Sequence, residues 1–327
     1  MRNIFRNNLR LKPSILTAFF FLTVPVFITI IAVTYFSNDN IARTNARELV
    51  ERFRIDALES IDDEFNPLKS QIRSAASLGE QDPGFYLDNR CLAYFYSILL
   101  HSQKIVSVYV GLGDGSLRQA RRIDPTSMIR DTQPSPGAQY AYRWIVPKAG
   151  SPTLDHYVFL DANRKELGST DHDTTYDPRL RPWYRAAEQA GTIIISDPDA
   201  FASEALIGVT VAAPFYADGK LAGVVAADIT LGGLGAYLGE RKISPGTLSY
   251  ILDHQGGVIA ASDLSNTYSN EQGRVELRHI SSLDNPLPAM AFSAHPRQSG
   301  GMFSFTHGGK EYVASLSPLA EIGRAHV

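Results

Sequence analysis

Cysteine is nearly missing from this chain: Cys91 is the only one in 327 residues. An internal disulfide is therefore impossible, and a Cys-x-x-Cys redox pair or thiolate metal site is excluded with it. A lone thiol of this kind is expected as a small buried apolar residue. Net charge is also scarce. At −3, with no basic stripe and no RNA-binding aromatic motif, the chain offers nothing to nucleic acid, and such partners are set aside. Catalytic signatures are missing too. There is no Gly-x-Ser-x-Gly elbow and no His-Glu-x-x-His helix, so His101, His254 and His279 read as turn or surface histidines. Gly111-x-Gly113-x-Gly115 lacks the helix and lysine of a phosphate loop. Asp171, His172, Asp173 and Asp177 lack the glycine and terminal glutamate of a calcium loop. No catalytic residue, cofactor or metal is expected.

Long apolar runs are confined to one place. Arg2, Arg6, Arg10 and Lys12 precede an uncharged stretch at residues 14–36, long enough to cross a bilayer as a helix. A cleaved signal peptide is the competing reading, but its apolar region is usually about 7–15 residues and ends in small residues. This stretch is longer and ends Thr34-Tyr35-Phe36. The expectation is a cytoplasmic N-terminus (1–12), an uncleaved transmembrane helix (13–36), and a chain that continues in the periplasm or outside the cell.

Glycine is absent from residues 41–78 and proline occurs there once, at Pro67. Leu49, Phe53, Ile55, Leu58, Ile61 and Phe65 recur at helical spacing, so a long stalk helix is expected over 37–80, with Pro67 the one place for a bend. Its mixed charges fit a solvated face, with either a homodimer seam or packing on the stalk's own domain. Beyond Gly79 and Asp82-Pro83-Gly84 the pattern becomes short strands and tight turns. Strands are expected near 106–112 and 117–120, joined by Gly113-Asp114-Gly115-Ser116, then near 140–144, 156–160, 192–196 and 206–215. Asp218-Gly219 makes a hairpin to the apolar strand 221–229. A second unit repeats the pattern with 248–253 turning at His254-Gln255-Gly256-Gly257 into 258–261, and with 301–306 and 311–316 joined by His307-Gly308-Gly309-Lys310. The class is α+β: a module at 81–235 and a similar, incomplete one at 236–320. Residues 321–327 come where a core strand is expected and look foreign, with 322–327 like a translated sequencing adapter; a genuine frayed terminus is the alternative.

The densest chemistry lies at Tyr176-Asp177-Pro178-Arg179-Leu180-Arg181-Pro182-Trp183-Tyr184. Pro182 holds Arg181 extended and suits a first helical position, so a short helix should run from there to a stop at Gly191. Its free N–H groups and positive dipole end favour a carboxylate, which Arg181 can meet with two parallel hydrogen bonds. A surface helix whose rings are core and whose arginines pair with nearby acids is the alternative. Asp228 stands in the apolar run 223–231, where an ionised carboxylate needs a partner: a ligand ammonium, or Arg179 or Arg181 in an empty pocket.

Asp177-Pro178-Arg179-x-Arg181-Pro182-Trp183-Tyr184, Ile195-Ser196-Asp197-Pro198, Ala212-Ala213-Pro214-Phe215-Tyr216 and Gly223-Val224-Val225-Ala226-Ala227-Asp228-Ile229 together resemble the double Cache sensors. These are tandem PAS-like antiparallel-sheet modules in the extracytoplasmic part of bacterial transmembrane receptors. The resemblance spans about residues 40–320. It implies a signalling receptor whose membrane-distal module binds an amino acid, amine or organic acid. Tyr176, Arg181, Trp183, Tyr184 and Asp228 match the pattern of the amino-acid-binding branch, in which arginine and tryptophan take the ligand carboxylate and the acids its ammonium. The branch's middle Tyr-x-Asp step is not matched. Asp199 and Phe201 stand there instead, and Asp199 is the candidate for the missing acid. Ser244-Pro245-Gly246-Thr247-Leu248-Ser249-Tyr250-Ile251-Leu252-Asp253-His254 is most similar to the sensors of bacterial adenylate/guanylate cyclases. A diguanylate cyclase, histidine kinase or chemotaxis signalling domain is the other expected output. The sensor itself is not expected to be an enzyme; a membrane-anchored periplasmic enzyme and an adhesive protein are the remaining alternatives.

Overall fold

The computed structural model describes residues 8–123, 133–147, 153–200, 207–230, 235, 238–240, 242, 244, 246–253, 255–263, 267–271, 274–294 and 301–318. Arg2, Arg6, Phe201, His254 and the expected foreign tail, 321–327, lie outside the described residues. The chain falls into two compact units, Met1–Arg52 and Phe53–Val327.

The first unit belongs to helix α1 (Asn8–Gln81). Its large apolar side chains have no core to enter; Phe21 is 77% exposed and Ile31 66%. The hydroxyls of Thr23 and Thr29 turn back onto the carbonyls of Phe19 and Pro25, 2.8 Å away in each case, so these polar groups are satisfied inside the helix. Among the described residues this is the one helix long and apolar enough to cross a membrane.

In the second unit the same helix becomes amphipathic. Ile61, Phe65, Leu68, Ile72 and Ala75 are buried at steps of three and four. They join α2 (Arg90–His101), which buries Cys91, Leu92, Phe95, Tyr96, Ile98 and Leu99. This helix corrects the expectation of strands alone beyond Gly84. Cys91 is buried there, as expected of a lone thiol.

A nine-stranded antiparallel sheet follows: β1 (Ile105–Leu112), β2 (Leu117–Arg122), β3 (Tyr140–Val146), β4 (Thr153–Leu160), β5 (Glu166–Thr174), β6 (Ile194–Ile195), β7 (Asp199–Ala200), β8 (Ile207–Ala217) and β9 (Lys220–Thr230). Its order is β5-β4-β3-β2-β1-β9-β8-β6, with β7 also on β8. The Asp218-Gly219 turn joining β8 to β9 has positive φ at both residues, +50° and +74°, as a two-residue hairpin of this hand requires. β5 is a further correction, since a polar strand runs where the sequence shows no alternation.

Side chains alternate across the sheet, and the alternation decides where chemistry collects. Val108, Val110, Ala120, Val211, Val225 and Ala227 face the α1–α2 core. Their neighbours Tyr109, Leu117, Ala212, Val224 and Ala226 face α3 (Pro182–Ala190).

After β9 the described residues form three hairpins, each a two-stranded ladder: β10 (Tyr250–Leu252) with β11 (Val258–Ala261), β12 (Tyr268–Glu271) with β13 (Arg274–Leu277), and β14 (Gly301–His307) with β15 (Lys310–Leu316). The β12–β13 pair was not foreseen. Leu252, Val258, Ala261, Ile280, Leu316 and Phe292 of α4 (Leu287–Ala294) share one small core, whereas Ile251, Ile259 and Ala260 enter the large one.

Candidate functional site

The loop leading into α3 is built by Asp177-Pro178-Arg179. The Asp177 carboxylate accepts from the Arg179 backbone N–H at 2.9 Å and from its guanidinium at 2.7 Å, which closes a single turn of 3-10 helix. Arg179 also donates to the Gly113 carbonyl at 3.1 Å, so the turn is tied to the glycine-rich β1–β2 hairpin. Gly111 is required there. A Cβ on it would lie 2.7 Å from Pro178 and 2.9 Å from the Trp183 indole. Arg181 is extended (φ −81°, ψ 147°), Pro182 opens α3, and Gly191 ends it in the left-handed region (φ +63°). No side chain caps the first turn of α3, and Trp183 and Tyr184 are buried on its inner side.

Asp228 is buried in β9 beneath this helix. Its register partners are Ser107 on β1 and Thr210 on β8. Ser107 Oγ donates to one carboxylate oxygen; Tyr109 OH and Thr210 Oγ1 donate to the other, each at 2.7 Å. Burial pushes the Asp228 carboxyl above the usual carboxylate range, and the three hydroxyls and the charge of Arg121 draw it partly back. A carboxylate has about four acceptor positions, so a place remains on the oxygen that takes only Ser107. Arg179 is held by Asp177 instead of Asp228. Ser196 fixes this corner: its backbone N–H donates to the Thr210 carbonyl at 2.8 Å, and its hydroxyl accepts from the Thr210 N–H at 3.0 Å.

The ring of Tyr109 meets the Trp183 indole edge to face, with centroids 5.0 Å apart. Tyr176 packs on the same cluster. Burial raises its phenol, Arg143 and Arg181 lower it, Asp228 raises it, and a hydrogen bond with Trp183 lowers it, so this hydroxyl lies within the influence of all four groups. Tyr109, Tyr176 and Trp183 thus pack together, with Tyr109 bonded to Asp228 and the Arg181 charge acting on the Tyr176 phenol. Tyr184 packs in the same cluster, its ring 5.5 Å from that of Trp183. Its phenol is pushed up to about 12 by burial and then by Glu188, with Arg179, Asp177 and Asp114 as its other charged neighbours. Asp199 stands in β7 opposite Gly208, and its side chain lies outside the described residues.

Ser107, Tyr109 and Thr210 have no place in the sequence reading, although alternation alone would have set them on one face with Asp228 once the register was known. A second buried group was missed with them. Arg143 on β3 forms two hydrogen bonds to Asp155 on β4, at 2.6 and 2.7 Å, and one to Gln119 Oε1 at 3.3 Å. The Asp171, His172 and Asp173 run lies in β5, where alternate side chains point to opposite faces, and Asp171 pairs with His156. Among the described residues, no three His, Cys, Asp or Glu side chains gather as a metal site.

Comparison with known proteins agrees with this architecture. Residues 126–236 match the model of the methyl-accepting chemotaxis protein-like first PDC sensor domain. Adenylate cyclase 1 of Rhizobium meliloti is 21% identical over 300 residues, which are 90% of this chain and 45% of that protein, so the chain spans under half the length of that relative. The ligand-binding domain of the Campylobacter jejuni chemoreceptor Tlp3, solved in complex with L-valine, superposes with a TM-score of 0.55 at 15% identity, covering 89% of this chain and 92% of that one. That of the Pseudomonas fluorescens chemoreceptor CtaA, solved with L-isoleucine, gives 0.54 at 16% identity, covering 89% and 94%. With the described sheet, the long helix and these matches in hand, the chain has the fold of these double Cache ligand-binding domains, and its residues 126–236 match a PDC sensor domain.

Proposed function

We propose that this chain is the extracytoplasmic ligand-sensing part of a bacterial transmembrane receptor, and that its ligand is a small α-amino acid held beneath α3. The observation that carries the reading is Asp228, whose buried carboxylate is held by three hydroxyls and acts, with Arg181 and Trp183, on the Tyr176 phenol. A ligand ammonium would pair with that carboxylate, and the Arg181 guanidinium with the uncapped first turn of α3 would take a carboxylate. Tlp3 and CtaA, each solved with an apolar amino acid, support the choice of ligand class. Asp199 is kept as a candidate second acid, and Tyr184 as a candidate wall residue. Residues 81–235 would form the membrane-distal binding module and 236–320 the membrane-proximal relay. The positively charged N-terminus would lie in the cytoplasm, and the stalk at 37–80 would carry a homodimer seam.

The likeness to Adenylate cyclase 1 over 90% of this chain supports a nucleotide cyclase as the output domain. The matching sensor model favours a methyl-accepting chemotaxis protein as the second reading. A thermal-shift screen of the full chain in detergent against amino acids, amines and organic acids tests the ligand. One amino-acid class should raise the melting temperature, and Arg181→Ala should abolish the gain. If all three classes leave the melting temperature unchanged, the proposal fails.

A further inference from the structure

Resting on the reading of Tyr176 as a ligand-contacting ring, we infer that Arg143, held by Asp155, is a positioning residue that fixes the Tyr176 ring at the carboxylate side of the site. The guanidinium is 3% exposed and Asp155 is fully buried. Its two hydrogen bonds to Asp155 and one to Gln119 set its plane. Its carbon then lies 5.1 Å from the centroid of Tyr176 and 5.3 Å from that of Tyr157. A buried guanidinium attracts an aromatic face most strongly when water is excluded, and here the partner carboxylate keeps the charge supported.

Register explains how Arg143 reaches the site. Tyr109, Gln119, Arg143 and Tyr157 are successive cross-strand partners on β1, β2, β3 and β4, so they stand in one row on the face that carries α3. Tyr109, at one end of that row, donates to Asp228. Tyr176 belongs to no strand. Its backbone is held by an N–H bond to Thr174 Oγ1 at 3.0 Å, which leaves the direction of its ring to Arg143 and to the cluster it packs on. Arg143 does not reach the ligand positions named above through any bond of its own; its action on binding is through the ring.

The test uses the full chain in nanodiscs, labelled with 3-fluorotyrosine, with the Tyr176 resonance assigned by Tyr176→Phe. Arg143→Lys keeps the charge beside Asp155 but loses the planar contact, and should shift or broaden the Tyr176 resonance without ligand present. It should also weaken L-valine or L-isoleucine binding about tenfold. In a Tyr176→Leu background the same change should have no further effect on binding. An Arg143→Met, Asp155→Leu double variant removes both charges together and covers the case in which Arg143→Lys fails to fold. An unchanged Tyr176 resonance in the folded variants overturns the inference, and so do additive losses of affinity in the two backgrounds. If the wild-type chain binds no amino acid while the resonance still responds to Arg143, the proposed ligand is wrong and the ring clamp stands.

Discussion

Asp228 shows what one buried carboxylate can hold. Burial raises its pKa in the folded state, so the stability it contributes to the empty protein is present at low pH and is lost as pH rises through that raised value. Asp228→Asn should therefore flatten this loss and leave the empty protein at least as stable above the ordinary carboxylate range, as followed by melting temperature against pH. The same variant should weaken amino-acid binding by roughly 10–100-fold, because a charge-assisted hydrogen bond is lost. In the wild type, ligand affinity should fall as pH is lowered through the Asp228 titration. A site in which affinity is indifferent to pH would not use this carboxylate. Gly111→Ala tests the neighbouring packing. With Pro178 and the indole inside 3 Å of the added methyl, it should cost about 1–3 kcal/mol and displace Trp183, read as a change in tryptophan fluorescence. Asp228 was legible in the sequence as a charge out of place in an apolar run. The hydroxyls that hold it were not, because Ser107, Tyr109 and Thr210 are ordinary strand residues until pairing brings them together.

At the scale of elements, local signals read well where the backbone itself is constrained. Pro182 and Gly191 gave both ends of α3, and Asp218-Gly219 gave the central hairpin. Gly191→Ala places a side chain in the left-handed region and should cost about 1 kcal/mol. For a domain of this size that is a fall of about 2–4 °C in melting temperature, with ligand binding kept because the site lies at the other end of the helix. Elements without such punctuation were missed. α2 is apolar on several sides, and its Leu-Ala-Tyr-Phe-Tyr run carries the same signal as a buried strand. β5, Glu166–Thr174, is polar on both faces because it is the outermost strand of the sheet, so no alternation marks it.

At the scale of the whole molecule, composition marks the change in α1 from a helix with nothing to pack against to one with a core. Residues 19–36 bury almost nothing, whereas Ile61, Phe65 and Ile72 are at most 1% exposed. Removing residues 1–36 should accordingly leave the melting temperature unchanged and move the chain from the membrane fraction to the soluble one. A fall in stability would mean that the apolar segment has a partner within the protein. How the two sheet regions divide the work was not legible, because their hairpins carry nearly the same turn signals. Only the pairing of β1 with both β2 and β9 shows that segments more than 100 residues apart join in one sheet.

The central strands β1 and β9 are a wall one residue thick. Tyr109 and Asp228 project to one side, while Val108, Val110 and Ala227 lie against the long helix and α2 on the other. No layer of side chains lies between the two rooms to absorb a displacement, and Ala226 and Ala227 are too short to swivel. Were the proposed ligand to draw on the carboxylate, the pull would reach the lining of the opposite side through the backbone itself.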